Sequence, residues 1–199
     1  DKILNIKEIN EVVLATTSNK IDDKIELLAR KKSIKYFRGS EKNVLSRIKN
    51  SITVFDQKPT YIIRANSDNP MLSPLYLKQS IKIAKNTNYD LISPFYFNSL
   101  PFGTSLCIIK TSAIDKICNL TNKQIYKEHV ENYILENKKS FKVLLQKSDK
   151  FDYLPNLNLT LDYLEDYKRI KYLYNKIIFK NKNYKFNKFI LKKKLTIKI

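Results

Sequence analysis

The sequence predicts an α/β fold in which a largely parallel sheet carries helices on both faces. Three observations lead there. Short apolar runs bounded by polar residues alternate with stretches of helical periodicity through most of the 199 residues, the pattern of repeated βα units. The segment EVVLAT at residues 11–16 is a nearly continuous apolar run, as expected of a strand covered on both sides. Two later strand-like runs are each followed by an aspartate, Asp68 and Asp162, at the carboxyl edge where open α/β sheets bind ligands.

Residues 1–7 are too short for a complete element and read as the end of one. After the strand at 11–16, Asp22 and Asp23 precede IELLARKK, a short helix whose acidic start suits the positive end of the helix dipole. Residues 34–37 predict a brief strand that ends in Arg38, Gly39 and Ser40, with Gly39 supplying the turn. Ser40 is the expected cap of the next helix, in which Val44, Leu45 and Ile48 recur at helical spacing and Arg47 lies on a neighbouring face. In YIIRANSDNP, residues 61–70, three apolar residues carry a strand inward and a polar turn ends in Pro70. Ser73 and Pro74 open a helix with Leu77, Ile81 and Ala84 on one stripe. Strands are expected at 90–94 and 105–110, separated by a Pro101, Phe102, Gly103 turn. Helices are expected at 111–120 and around 127–137, and strands at 141–145 and 157–161. Asp162 is the expected cap of the final helix, with Glu165 three residues later and Tyr167, Ile170, Leu173 and Ile177 along its stripe. A short helix and a loose end are expected over 181–199.

With 43% hydrophobic residues the chain can bury one sizeable core, so a single domain is expected over residues 1–180, followed by a basic extension at 181–199. Cys107 and Cys118 are too few and too oddly spaced for a disulfide framework or a C-x-x-C metal site. No apolar run reaches the ~18 residues of a membrane span, and a soluble, cytoplasmic protein is expected. The net charge of +19 ordinarily points to an anionic partner. Its distribution tempers that: residues 167–199 hold twelve Lys and Arg and no acid, which leaves only +7 for residues 1–166. The abundance of Lys, Asn and Ile is also what AT-rich coding produces. A solvated Lys-rich face and a true anionic partner both account for the excess. No basic stripe with interleaved aromatics precedes Tyr167, which disfavours nucleic acid as the partner.

Two readings attach to each of the aspartates. Asp68, with Asn69 and Pro70, forms an ordinary turn, or it holds a divalent metal on a nucleotide's phosphates. Asp162 caps a helix, or it meets Asp68 at one sheet edge to share a hard cation such as Mg²⁺, which prefers oxygen ligands plus phosphate.

The order ATTSNKIDD, FRGSEKNVLSR, RANSDNP, SLPFG, KEHVENYI and LTLDYLEDY resembles the nucleotidyltransferase superfamily. Within it, the chain is most similar to the cytidylyltransferase branch, which includes spore-coat polysaccharide biosynthesis proteins and enzymes that make CMP-sugars. The resemblance runs from about Glu11 to Ile177. It implies a Rossmann-like three-layer α/β/α domain with a mostly parallel mixed sheet. It also implies attack of a sugar hydroxyl on the α-phosphate of CTP to give a CMP-sugar, for surface polysaccharide, and pyrophosphate. In that picture Asp68 and Asp162 are the catalytic pair that ligates Mg²⁺. Asn66 falls where relatives contact the base, and Ala15 and Thr16 fall in the nucleotide wall. Arg47 is placed near ribose or phosphate, against the alternative of a surface salt bridge. His129, the chain's one histidine, and Glu128 match a segment tied to the sugar, against the alternative of packed or surface residues. Asp166 is read as a first-turn helix residue. Relatives of this type often form homodimers.

Departures from the pattern carry expectations of their own. The family's N-terminal phosphate loop, containing Gly and Arg and ending in Lys, has no counterpart here, nor has the central strand that carries it. The chain is therefore expected to be N-terminally incomplete. Cys107 stands where relatives usually show a glutamate, and Ser67 replaces a customary glycine. A non-catalytic nucleotide-binding homologue, and a module for an anionic surface or nucleic acid, are the rival functions.

Overall fold

A computed structural model of the chain describes residues 3–93, 100–104, 106–147 and 157–177. Strand β1 (Val13–Thr17) pairs in parallel with β2 (Lys35–Gly39), Val13 opposite Lys35 and Thr17 opposite Gly39. Helix α1 (Asp23–Lys31) joins them, and α2 (Val44–Ser51) follows. Four further strands form a second sheet in the order β3 (Tyr61–Arg64), β5 (Cys107–Lys110), β4 (Leu91–Ser93), β6 (Val143–Leu145). The backbone bonds set the directions. Asp90 N donates to Lys142 O at 2.7 Å and Gln146 N to Ser93 O at 2.8 Å, so β4 and β6 run alongside each other. Lys110 N donates to Asp90 O at 2.9 Å and Thr111 N to Thr60 O at 2.9 Å, which turns β5 against both its neighbours. The architecture is the expected α/β one, a mixed sheet flanked by helices, with β5 as the antiparallel member.

Helices α3 (Pro74–Asn86), α4 (Thr111–Leu120), α5 (Gln124–Glu128), α6 (Val130–Glu136) and α7 (Leu164–Ile177) complete the order. Leu91, Ile92, Ile108 and Ile109 are completely or almost completely buried, which is why β4 and β5 read as unbroken apolar runs. Each such side chain contributes about 1.5–3 kcal/mol by leaving water. Among the described residues, no helix is long and apolar enough to cross a membrane.

The chain divides into two units. The first comprises Asp1–Ile62, Asn88–Leu91 and Ile109–Val143. In it Ala29 of α1, Leu45 of α2, Ala113, Ile114 and Ile117 of α4, and Val130 and Ile134 of α6 are buried. The second comprises Ile63–Thr87, Ile92–Ile108 and Leu144–Ile199. There α3 buries Tyr76, Leu77, Ile81 and Ala84, α7 buries Ile170 and Leu173, and Met71 and Leu72 are anchored between elements.

Four expectations are corrected. Ser40 does not cap α2: the Asn43 side chain accepts from Ser46 N at 2.9 Å, and Ser40 Oγ accepts from Asn43 N at 3.0 Å, steadying the capping residue. The helix expected around 127–137 breaks at His129 (φ −107°, ψ 78°), with Tyr126 meeting Tyr133 edge-on at 5.0 Å across the break. The strand expected at 157–161 shrinks to one parallel bridge, Asn158 with Phe102. The reason is local, because the Asn158 side chain takes the Thr160 N–H at 2.9 Å and competes with ladder pairing. Glu165 is not the residue that reaches back to cap α7; Asp166 is. Pro94, Ser105 and the basic extension at 181–199 lie outside the described residues.

Candidate functional site

Strand β3 ends at Arg64 and the chain turns at once. Asn69 N donates to Asn66 O at 3.2 Å and Leu72 N to Asn69 O at 3.4 Å. Buried Asn69, Met71 and Leu72 tie this turn into the second unit, and Ser73 N donates to Thr104 O at 3.2 Å. Asp68 sits at the top of the turn, and its carbonyl accepts from Leu161 N at 2.9 Å. That bond makes the Asp68 turn and the segment ending in Asp162 direct neighbours. The Asp68 carboxylate differs from an ordinary turn carboxylate: Oδ1 is buried and has no hydrogen-bond partner among the described residues. Leaving such an oxygen unpaired costs about 1–3 kcal/mol, more when charged. Asn66 is exposed on the same turn.

The segment that presents Asp162 is held by its main chain. Phe102 N donates to Leu157 O at 3.0 Å and Leu159 N returns to Phe102 O at 2.7 Å. Gly103 adopts φ +83° directly against the next peptide. A Cβ there would lie 2.4 Å from Leu159 C and 2.5 Å from Thr160 N, so no side chain fits. Thr104 closes this turn by donating its hydroxyl to Pro101 O at 2.7 Å. Helix α7 starts at Leu164, which puts Tyr163 at the N-cap position. Asp166 Oδ2 accepts from Tyr163 N at 3.0 Å and from Asp162 N at 3.3 Å, and Asp166 Oδ1 accepts from Arg169 at 2.8 Å. Asp166 is thus a helix residue, as expected, and it makes the reach-back bond that the sequence assigned to Glu165. With Tyr163 at the N-cap, the Asp162 side chain accepts no bond from a helix N–H among the described residues. Its Oδ2 accepts from the Thr160 hydroxyl at 2.5 Å.

Two carboxylates on bonded segments, each with an oxygen that the described residues leave unused, suit a hard cation. Among the described residues, no group of three or more His, Cys, Asp or Glu could hold a metal ion. An ion between Asp68 and Asp162 would complete its shell with phosphate oxygens and water, the habit of Mg²⁺ at nucleotide sites.

The other sequence-derived candidates lie in the first unit. Ala15 is exposed on β1 and Thr16 beside it is buried. The Thr16 hydroxyl donates to Asp22 Oδ2 at 3.0 Å, and the same oxygen accepts from Thr17 N at 3.2 Å and the Thr17 hydroxyl at 2.5 Å. These donors, Thr17's hydroxyl foremost, hold the Asp22 carboxyl below its ordinary pKa. Arg38 grips the same loop. Its guanidinium donates to Thr17 O at 3.0 Å, Asn19 O at 2.8 Å, Asp23 at 2.6 Å and Glu26 at 3.0 Å. Arg47 donates to Ser40 O at 2.5 Å and thereby braces the turn after β2. Glu128 and His129 are both exposed at the break between α5 and α6. Sequence reasoning gave no role to Arg38, Asn158 or Thr160, and read Asp22 only as part of a helix's acidic start. The motifs ATTSNKIDD, FRGSEKNVLSR and LTLDYLEDY contain three of these four residues, yet nothing in a motif says which polar residue binds which.

The family described as cytidylyltransferase matches residues 1–194. The spore coat polysaccharide biosynthesis protein SpsF of Bacillus subtilis is 31% identical over 172 residues, 85% of this chain and 69% of that protein. An uncharacterized protein of Methanocaldococcus jannaschii is 27% identical over 168 residues, 84% of this chain and 67% of the relative. Among solved structures, a cytidylyltransferase from Leptospira borgpetersenii superposes with a TM-score of 0.81 at 22% identity, over 94% of this chain and 80% of that one. At that identity the superposition speaks for the fold alone.

Proposed function

The chain belongs to the cytidylyltransferase family, and from that premise we propose that it transfers CMP from CTP to a sugar of a surface polysaccharide, with Mg²⁺ held by Asp68 and Asp162. The observation that carries this reading is the Leu161 N to Asp68 O bond. It makes neighbours of two segments, one bearing a carboxylate with an orphaned oxygen and the other bearing Asp162, whose Oδ1 accepts no hydrogen bond among the described residues. In the reaction a sugar hydroxyl oxygen forms a bond to the α-phosphorus and gives up its proton to solvent, the bond to the bridging oxygen breaks, and pyrophosphate leaves with that electron pair. Bound Mg²⁺ supplies charge neutralisation on the phosphates. The chain supplies position. The turn at 66–72, anchored by buried Asn69, Met71 and Leu72, fixes Asp68, and Gly103 with the Asp166 cap fixes the approach to Asp162. Asn66 is assigned to the base, Ala15, Thr16 and Arg47 to the nucleotide, and Glu128 and His129 to the sugar. The polysaccharide assignment draws on the similarity to SpsF, a spore coat polysaccharide biosynthesis protein.

Incubating the full-length protein with CTP, Mg²⁺ and a panel of sugars, acidic ones included, tests the reading. CTP-dependent pyrophosphate release with at least one sugar is expected, and silence across the panel overturns it. A second reading, nucleotide binding without transfer, is favoured by Cys107, which is buried in β5 at the place of the expected glutamate. Calorimetric CTP binding without turnover would establish that reading instead.

A further inference from the structure

Asn158, Thr160 and Asp162 form a chain of polar contacts that assigns different work to the two oxygens of Asp162. The Thr160 Oγ1 atom lies 2.8 Å from Asn158 Oδ1 and 2.5 Å from Asp162 Oδ2. The nearer atom of the Asn158 amide is its carbonyl oxygen, since it also accepts from Thr160 N at 2.9 Å. Thr160 has one hydroxyl proton, and both of its neighbours can only accept. A carboxylate is the stronger acceptor, and hydroxyl-to-carboxylate contacts are the short ones, about 2.5–2.7 Å. The proton therefore goes to Asp162, while the backbone N–H serves Asn158. The hydroxyl is held in place, because Thr160 is buried and its peptide lies against Gly103. Oδ1 of Asp162 has no hydrogen bond among the described residues.

We propose that Thr160 is a positioning residue for Asp162: its single hydroxyl proton fixes Oδ2 and so favours Oδ1 as the oxygen offered to the metal. This rests on the reading of Asp162 as a metal ligand. A carboxylate with one oxygen already hydrogen-bonded is biased toward binding through the other, which suits the small octahedral shell of Mg²⁺ or Mn²⁺. Ca²⁺ readily takes both oxygens of a carboxylate and gains less from the restriction.

The test is Mn²⁺ binding to the full-length protein, followed by the electron paramagnetic resonance of free Mn²⁺ and by competition with Mg²⁺ and Ca²⁺. Wild type, Thr160→Ser, Thr160→Val and Asp162→Asn are compared. Thr160→Ser keeps the hydroxyl and is expected to match wild type. Thr160→Val keeps the shape and is expected to weaken Mn²⁺ by about tenfold, as loss of an outer-shell partner does, while Ca²⁺ competes relatively better. A thermal midpoint close to wild type separates this from general damage. Should Thr160→Val match wild type in both affinity and ion preference while Asp162→Asn loses Mn²⁺, the inference is overturned and the metal reading stands. Equal weakening in Thr160→Ser also overturns it, since packing rather than the proton would be responsible. Wild type failing to bind Mn²⁺, or Asp162→Asn binding it normally, removes the metal reading and this inference together.

Discussion

Asp22 of the first unit and Asp68 of the second are both half-buried carboxylates beside the end of a β-strand, and their surroundings are opposite. One oxygen of Asp22 collects three donors, from Thr16 and Thr17. One oxygen of Asp68 is buried with none among the described residues. A carboxylate whose acceptors are filled is part of the scaffold, and its charge is already used. A buried carboxylate left unfilled is destabilising by itself, and folds keep such a group where a ligand will satisfy it.

The largest expected effect tests that contrast directly. Asp68→Asn should cut pyrophosphate release by about a thousandfold or more, the scale on which electrostatic stabilisation of a transition state operates. It should leave urea stability unchanged or raised, because the orphaned charge goes. Asp22→Asn should lower the unfolding midpoint, since the strongest acceptor for Thr16 and Thr17 is lost. If Asp68→Asn proves the more destabilising of the two, the contrast collapses. Next in size is Gly103→Ala, expected to cost about 2–4 kcal/mol in urea unfolding because the added Cβ collides with backbone and the positive φ strains any side chain. Full stability in that variant would mean that the Leu159–Thr160 peptide moves freely. Asp166→Ala should cost about 1 kcal/mol, the worth of a helix-terminal cap, measured by thermal unfolding.

The smallest effect is a pH dependence contributed by two scaffold carboxylates. Asp22 is lowered by its threonine hydrogen bonds and Glu26 by those from Arg30 and Arg38. Their contribution is therefore fully present above the unfolded values, about 3.9 and 4.3. It is lost as the pH falls through the lower folded values. Unfolding followed from pH 7 down to pH 3 should show stability declining in that window, with a shallower decline in Asp22→Asn.

Much of the fold was legible because burial writes itself into periodicity. The helix at Thr111–Leu120 was located to the residue, and β1 to β6 each fell within or beside an expected apolar run. Direction was not legible: Cys107, Ile108 and Ile109 look the same whether β5 runs with or against its neighbours. The neighbourhood of Asp68 and Asp162 was legible only as a condition, since nothing in sequence shows the bond between residues 68 and 161. The capping of α7 was misread because both Glu165 and Asp166 can reach back. Which one does so depends on the helix starting at Leu164 rather than one residue earlier. The role of Thr160 was invisible, because a hydroxyl's partners depend on distances of a few tenths of an ångström.

The chain has two glycines, and each stands where a methyl group would come within 3 Å of another atom: Gly39 against the Phe37 ring and Gly103 against the 159–160 peptide. Glycine codons are rich in G, and a gene drifting toward AAA, AAT and ATA sheds them wherever another residue is tolerated. Of the two that survive such drift, Gly39 meets only side chains, whereas Gly103 meets backbone at a positive φ and has no alternative. In a protein of this composition, scarcity itself becomes a structural probe, and here it points at the peptide that leads to Asp162.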